Sequence, residues 1–313
     1  MKEKIRIIVL AGPTASGKTE AAIRLAGRLN GEIVSADSMQ LYKFMDIGSA
    51  KPTPEERKQA VHYLVDEIDP AQPFSAADYR QLAGQYIRRI AAAGKVPIVE
   101  GGTGLYLNSI VYDMDFGSRP ADTARRQELR RIAEEQGPEA LHELLRSVDP
   151  AAAERIHPNN VIKIIRAVEA AESGTPIPSF ENSFRPSVEF EPIMFCINRD
   201  REQLYERINL RVDRMLEAGL EQEVRSLLDR GLGSDNISMK GIGYKEMIAY
   251  IHGECDLETA AEQIRQSTRH FAKRQLTWFR RYPDMIWYDV TGGLDEAVSD
   301  MCERAEQFLS GKQ

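Results

Sequence analysis

The stretch AGPTASGKTE (residues 11–20) follows the apolar run IRIIVL (residues 5–10) and leads into KTEAAIRLAGRL (residues 18–29), whose apolar residues recur at helical spacing. A short β-branched run that stops at a glycine reads as a buried parallel strand. Asn30-Gly31 ends the helix that follows. Between strand and helix lies Gly12-Pro13-Thr14-Ala15-Ser16-Gly17-Lys18-Thr19, with the spacing Gly-x4-Gly-Lys-Thr. In that context the spacing makes a phosphate cradle. Successive backbone N–H groups converge on an anion, and the helix N-terminus adds partial positive charge. Lys18 adds a full charge, and the Thr19 hydroxyl can ligate Mg²⁺. The loop predicts a polyphosphate ligand and leaves open what the phosphates are attached to.

The flanking segments predict the fold. EIVSAD (32–37) reads as a second strand with Asp37 at its carboxyl end, and HYLVDEI (62–68) as a third. Ser75 caps a helix that Gly94 stops, and VPIVE (96–100) is a strand that runs into GGTG (101–104). Strand and helix alternating with short joins is the pattern of a doubly wound parallel sheet. From Asp122 to Ser173 the pattern changes to successive helices punctuated by Pro and Gly, which predicts a helical insertion. The proline- and polar-rich stretch 175–192 predicts an exposed loop, and IMFCIN (193–198) a return to the sheet. Helices over 201–230, 257–282 and 294–309 and a strand over 285–290 complete the reading.

A chain of 313 residues is enough for one large domain or two smaller ones. With 42% hydrophobic and 28% charged residues it has globular rather than disordered composition. Its longest apolar runs fall far short of the roughly 18 residues that span a bilayer. The N-terminus passes from lysines directly into a short strand, which predicts no export signal. Cys196, Cys255 and Cys302 are far apart and odd in number, so neither a disulfide framework nor a zinc site is expected, and a cytoplasmic location fits. The five histidines show no ligand spacing.

A net charge of −7 argues against a nucleic-acid binder, but the basic residues cluster. RHFAKRQLTWFRR (269–281) holds six of them, His270 included, interleaved with Phe271, Trp278 and Phe279. It reads either as an amphipathic helix with solvated arginines or as a stripe for a phosphate backbone. RRQELRR (125–131) and IKIIRA (162–167) are further basic patches. In an open α/β sheet ligands sit at the carboxyl ends of the strands. Asp37 therefore faces the crevice as a Mg²⁺ ligand, a catalytic base or a loop cap. The GGTG glycines would let a ligand approach the backbone, with Thr103 offering a hydroxyl. A small-molecule kinase binding ATP, or a non-catalytic RNA-binding regulator, could use the same loop.

GPTASGKT, DSMQLYKFMDIGSAKP (37–52), FSAADYR (74–80), VEGGTGLY (99–106), HPNNVIKIIRAVE (157–169), GIGYKE (241–246) and TRHFAKRQLTWFRR (268–281) occur in that order. Together they make the chain, over nearly its whole length, resemble the bacterial tRNA dimethylallyltransferases. The resemblance implies a P-loop-NTPase-like parallel sheet flanked by helices. Residues 1–114 and 191–313 would form the catalytic core, and 115–190 a mostly helical insertion that grips the tRNA anticodon stem-loop. It implies transfer of a dimethylallyl group from dimethylallyl diphosphate to N6 of the adenosine 3′-adjacent to the anticodon, in tRNAs that read codons beginning with U. Gly12 to Thr19 would bind the diphosphate, and Thr19 would reach Mg²⁺. Asp37 would be the general base, and Thr103 would contact the acceptor base or the diphosphate edge. Arg211 is the motif's choice over Arg207 and Arg214 for the diphosphate. Stretches resembling tRNA contacts are Asp37, Ser38, Met39 and Gln40 with Thr103; Ile162, Lys163, Ile164, Ile165 and Arg166; Lys240, Gly241, Ile242, Gly243, Tyr244 and Lys245; and Arg126. Many members read HPND followed by a basic residue where this chain has Asn160, Val161 and Ile162. The protein implied is a monomer with no membrane partner.

Overall fold

In the computed structural model, which describes residues 3–114, 123–174 and 185–311, six strands pair in parallel: β1 (Ile5–Ala11), β2 (Gly31–Ser35), β3 (His62–Tyr63), β4 (Val96–Gly101), β5 (Phe190–Asn198) and β6 (Ile286–Asp289). Their order across the sheet is β3-β2-β4-β1-β5-β6. Ile8 and Leu10 of β1 join a cluster built with α1 (Lys18–Leu29) and α13 (Asp295–Ser310). Ile7 and Val9, which alternate with them, are just as buried, so both faces of β1 are covered. α3 (Ala76–Ala92) packs on β1, β2 and β4, and α4 (Gly104–Val111) on β4, β5 and α3. A capping box of Ser75 and Asp78 starts α3, and the stacked rings of Tyr79 and Tyr106, 4.0 Å apart, join α3 to α4.

The remaining helices of this unit are α2 (Pro54–Gln59), α9 (Arg201–Glu217), α10 (Leu220–Asp229), α11 (Tyr244–Ile251) and α12 (Leu257–Phe279). Contacts divide the chain into Met1–Val111 with Ser187–Gln313, and Tyr112–Pro186. In the second unit α5 (Thr123–Gln136), α6 (Pro138–Val148), α7 (Pro150–Arg155) and α8 (Val161–Glu172) close around Leu129, Leu141, Leu145, Ile164 and Val168. His142 is buried there, with Nε2 2.9 Å from the Ala153 carbonyl and 2.8 Å from that of Ile156, which makes it a structural histidine.

Four expectations shift. The strand predicted over 62–68 ends at Tyr63, because Leu64 and Asp66 take positive φ and Asp66 turns to bond Lys51 and Arg57. The strand predicted from 193 begins at Phe190, since Phe190 to Pro192 pair with Ile5 to Ile7. The helix over 201–230 breaks at Ala218–Gly219, and α2, α4 and α11 were not foreseen. Residues 115–122 of the predicted insertion, and 175–184 of it and of the predicted loop, lie outside the described residues.

Sheet order matters for the site. β2 is not the neighbour of β1; β4 lies between them, with Leu10 and Ser35 both opposite Glu100. The segment after β2 cannot lean on β1 and is held from outside. The Glu223 carboxylate of α10 accepts the amides of Asp46, Ile47 and Gly48 at 2.8, 2.7 and 3.0 Å and the Tyr244 hydroxyl at 2.8 Å. Charge-assisted bonds of this kind are worth more than neutral ones. Glu223→Ala is expected to lower the unfolding free energy by about 2–4 kcal/mol in urea titrations. A change within the noise of such titrations would show that the segment holds itself.

Candidate active site

The glycine-rich loop is held by hydrogen bonds to its carbonyls. A Cβ on Gly12 would sit 2.6 Å from the Ile197 carbonyl oxygen, so nothing larger fits beside β5. Gly17 takes φ +102° at the cap of α1, in the region that favours glycine. The Lys18 ammonium donates to the Pro13 carbonyl at 2.9 Å, Arg207 to that of Ala15 at 2.8 Å and Arg199 to that of Ser16 at 2.9 Å. Arg211 donates to the Thr14 hydroxyl at 3.2 Å. With those carbonyls engaged, the first amides of α1 remain as donors without intrahelical partners. A cleft of about 450 Å³ opens here, lined among others by Lys18, Thr19, Arg207, Arg211 and Arg214. All three candidate arginines line this cleft. Arg211 is the one bonded to a loop side chain, and Arg207 holds the loop backbone.

The charges interact closely. Burial pulls the Lys18 ammonium below the ordinary lysine range, against the pull of Glu100 and Asp37. Burial also lowers Arg211, opposed first by Asp37. Glu100, at the end of β4, is pushed up to about 7 by burial, with Lys18 opposing and Asp37 reinforcing the shift. The mutual influence of Lys18, Arg211, Glu100 and Asp37 gathers the cationic loop and both carboxylates at one edge of the sheet.

Asp37 lies two residues beyond β2 and turns back as a cap. Its Oδ1 accepts the amides of Met39 at 2.8 Å and Gln40 at 3.3 Å. Among the described residues nothing bonds Oδ2. Thr103 is its neighbour: its amide donates to the Ala36 carbonyl at 3.0 Å, and its Oγ1 accepts the Ser38 amide at 3.0 Å. Gln40 is buried, bonded to Ser35 and the Ala50 carbonyl. The GGTG glycines admit protein neighbours rather than a ligand. Cβ atoms on Gly101, Gly102 and Gly104 would fall 2.3 Å from the Ala36 carbonyl oxygen, 2.2 Å from the Gln275 amide and 2.2 Å from the Trp278 ring.

Of the other predicted contacts, Met39 packs where a Cβ on Gly241 would stand, so those two stretches meet. Lys240 and Lys245 are exposed, Gly241 and Ile242 half-buried, and Gly243 and Tyr244 buried. In the helical unit Ile162, Lys163 and Arg166 are exposed on α8, whereas Ile164 and Ile165 are core. Arg126 is paired with Glu169 through Nε at 2.7 and 2.9 Å. Along α12, Lys273 and Arg274 are exposed, as are Arg280 and Arg281 just beyond it, while Phe279 is buried.

Glu100, Arg199 and Gln275 escaped the sequence reading. The strand-end rule that singled out Asp37 applies equally to Glu100 and to Arg199, which directly follows β5. Gln275 carried no such signal, because only the packing of α12 shows what it touches.

Comparison with known proteins places the chain in a family. A family model described as IPP transferase matches residues 40–282. The tRNA dimethylallyltransferase of Alkaliphilus metalliredigens is 48% identical over 309 residues, 98% of each chain. That of Clostridioides difficile is 48% identical over 288 residues, 92% of this chain and 93% of its own. The crystal structure of the full-length tRNA isopentenylpyrophosphate transferase from Bacillus halodurans superposes with a TM-score of 0.73 at 41% identity, covering 99% of this chain and 97% of that one. A eukaryotic dimethylallyltransferase acting on tRNA superposes with a TM-score of 0.81 at 27% identity, covering 99% of this chain and 81% of its own. Among the described residues no helix is long and apolar enough to cross a membrane. By family match, full-length identity and shared fold, the chain belongs to the IPP transferase family.

Proposed function

We propose that this enzyme transfers a dimethylallyl group from dimethylallyl diphosphate to N6 of the adenosine 3′-adjacent to the anticodon, in tRNAs that read codons beginning with U, and releases diphosphate. The observation that carries the reading is the pairing of two loops at one sheet edge. One is a cationic cradle with Arg211 on its threonine, and the other a carboxylate held by two amides beside Thr103.

An exocyclic amine is a weak nucleophile, so the leaving group must depart with its charge already met. The open amides of α1, Lys18 and Arg211 supply preorganised donors for the diphosphate, the kind of term that usually dominates catalysis. Asp37 then takes the amine proton through Oδ2, while Oδ1 keeps the carboxylate oriented. The Thr19 hydroxyl lines the cleft beside Lys18, and the nearby Ser16 hydroxyl is buried without a partner. Among the described residues no group of three His, Cys, Asp or Glu could hold a metal alone. A few hydroxyl oxygens plus diphosphate oxygens fit Mg²⁺, which binds through such hard oxygens and keeps several waters. Held by Thr19, it would neutralise charge on the leaving diphosphate.

The acceptor base must leave its stack to reach Asp37. Exposed Lys163 and Arg166 on α8, Lys240, Lys245 and the basic face of α12 are the groups we assign to the RNA backbone, with the helical unit gripping the anticodon stem-loop. One chain carries both donor and acceptor loops, so the working unit proposed is a monomer, acting in the cytoplasm where tRNA matures.

Incubation with unmodified tRNA and dimethylallyl diphosphate should yield isoprenylated adenosine. Replacing the donor by ATP should leave the tRNA unchanged; ATP consumption with a small-molecule acceptor and no prenyl product would sink the proposal. Asp37→Asn keeps an oxygen for the Met39 and Gln40 amides, so tRNA affinity should hold while turnover falls by roughly 10²–10⁴-fold. Equal losses in affinity and turnover would make Asp37 a binding residue instead. Glu100 carries a pH signature. Its folded-state pKa of about 7 lies above the ordinary 4.5, so its contribution favours the folded state fully below 4.5 and is lost as pH rises through 7. Glu100→Gln stays neutral throughout, so its melting temperature relative to the parent enzyme should be higher at about pH 8 than at about pH 5. The same offset at both pH values would show that Glu100 ionises normally.

A further inference from the structure

We infer that Gln275 is a positioning residue for the transfer, a strap that sets the separation between the leaving diphosphate and the accepting amine. The inference rests on the function proposed above. Gln275 lies on α12, away from both loops in sequence, yet its side chain is buried and both ends of its amide are used. Oε1 accepts the Thr14 amide at 2.9 Å, and Nε2 donates to the Gly102 carbonyl at 3.0 Å. Thr14 belongs to the donor loop after β1, and Gly102 to the loop after β4.

Each end continues into the chemistry. On the donor side the Thr14 hydroxyl accepts from Arg211. On the acceptor side Gly102 precedes Thr103, whose hydroxyl accepts the Ser38 amide beside Asp37. A path of hydrogen bonds and short covalent links thus runs from Arg211 through Thr14, Gln275, Gly102 and Thr103 to Asp37. Pairing of β1 with β4 ends at Ala11 and Gly101. The Gln275 amide ties Thr14, three residues beyond that pair, to Gly102, the first residue beyond it. A Cβ on Gly102 would lie 2.2 Å from the amide nitrogen, so any larger residue there would push the Gln275 amide out of this position. A bond-forming step between two bound reactants is sensitive to such spacing, and a displacement near 1 Å can cost about 10²-fold in rate.

The test uses the full-length enzyme carrying Gln275→Met, which keeps the bulk and loses both bonds. Gln275→Glu, which keeps the acceptor for Thr14 and loses the donor to Gly102, is the second variant. Single-turnover transfer, scaled to the folded fraction, should slow by roughly 10–100-fold in Gln275→Met, with tRNA affinity within about twofold of the parent. In a cycle with Thr103→Ala the two losses should not multiply, since both loosen the same path. A parent-like rate, or fully multiplicative losses, would overturn the strap. Amide hydrogen exchange reads the same device without substrate. Both variants should lose protection at Ser38 as well as near Gly102, with the central strands unchanged, and loss confined to Thr14 in Gln275→Met would overturn the coupling. If the parent enzyme fails to prenylate tRNA, the proposed function falls, while exchange still decides whether Gln275 joins the two loops.

Discussion

The loop from Gly12 to Thr19 gathers Lys18, Arg199, Arg207 and Arg211 around one short backbone segment, and the cost of burying charge there is what its surroundings must meet. Burial lowers Lys18, Arg211 and Arg199, and neighbouring cations add to it, Arg211 at Lys18 and Arg207 at both Arg211 and Arg199. Two features hold the charges together. The loop carbonyls of Pro13, Ala15 and Ser16 each accept from one of them, and Glu100 and Asp37 offer negative charge from the ends of β4 and β2. Under the proposed function, a loop that already meets this cost before the diphosphate arrives has little left to reorganise when charge develops on the leaving group.

The segment after β2 is built by the opposite means. After β2 the chain makes a long excursion, carried by Glu223 at the amides of Asp46 to Gly48 and by Lys51 bonded to Asp46 and Asp66. The Glu223 carboxylate and the Lys51 ammonium organise the excursion, as several cations organise the Gly12–Thr19 loop. Asp37 is left with one oxygen spent on local amides and one open. The sheet holds both loops at the same edge because β4, inserted between β1 and β2, ends in Glu100 and leads to Thr103.

Much of this was legible from residue order alone. α1 runs from Lys18 to Leu29 as its spacing required, and Ser75 caps α3 as its type suggested. The strand at 62–68 was misjudged because Val65 and Ile68 look apolar enough to continue it. The ion pairs that turn Asp66 away involve Lys51 and Arg57, which local pattern does not connect to it. The GGTG glycines invite a ligand for a similar reason: a glycine's need for space is visible in sequence, but the atoms that occupy the space belong to Ala36, Gln275 and Trp278, all distant along the chain.

The sequence by itself determined the glycine-rich loop between β1 and α1, the parallel alternation of strand and helix, the carboxylate after β2 and the run of basic residues along α12. Each is a local pattern whose period or spacing carries its own physical meaning. Only the tertiary structure decided that β4 separates β1 from β2 and that Glu100 is buried beside Lys18. It also decided that Gln275 joins the two loops. Those facts depend on which segments meet when both faces of the sheet are covered. Burial and hydrogen bonding between distant residues leave no periodic trace in the chain.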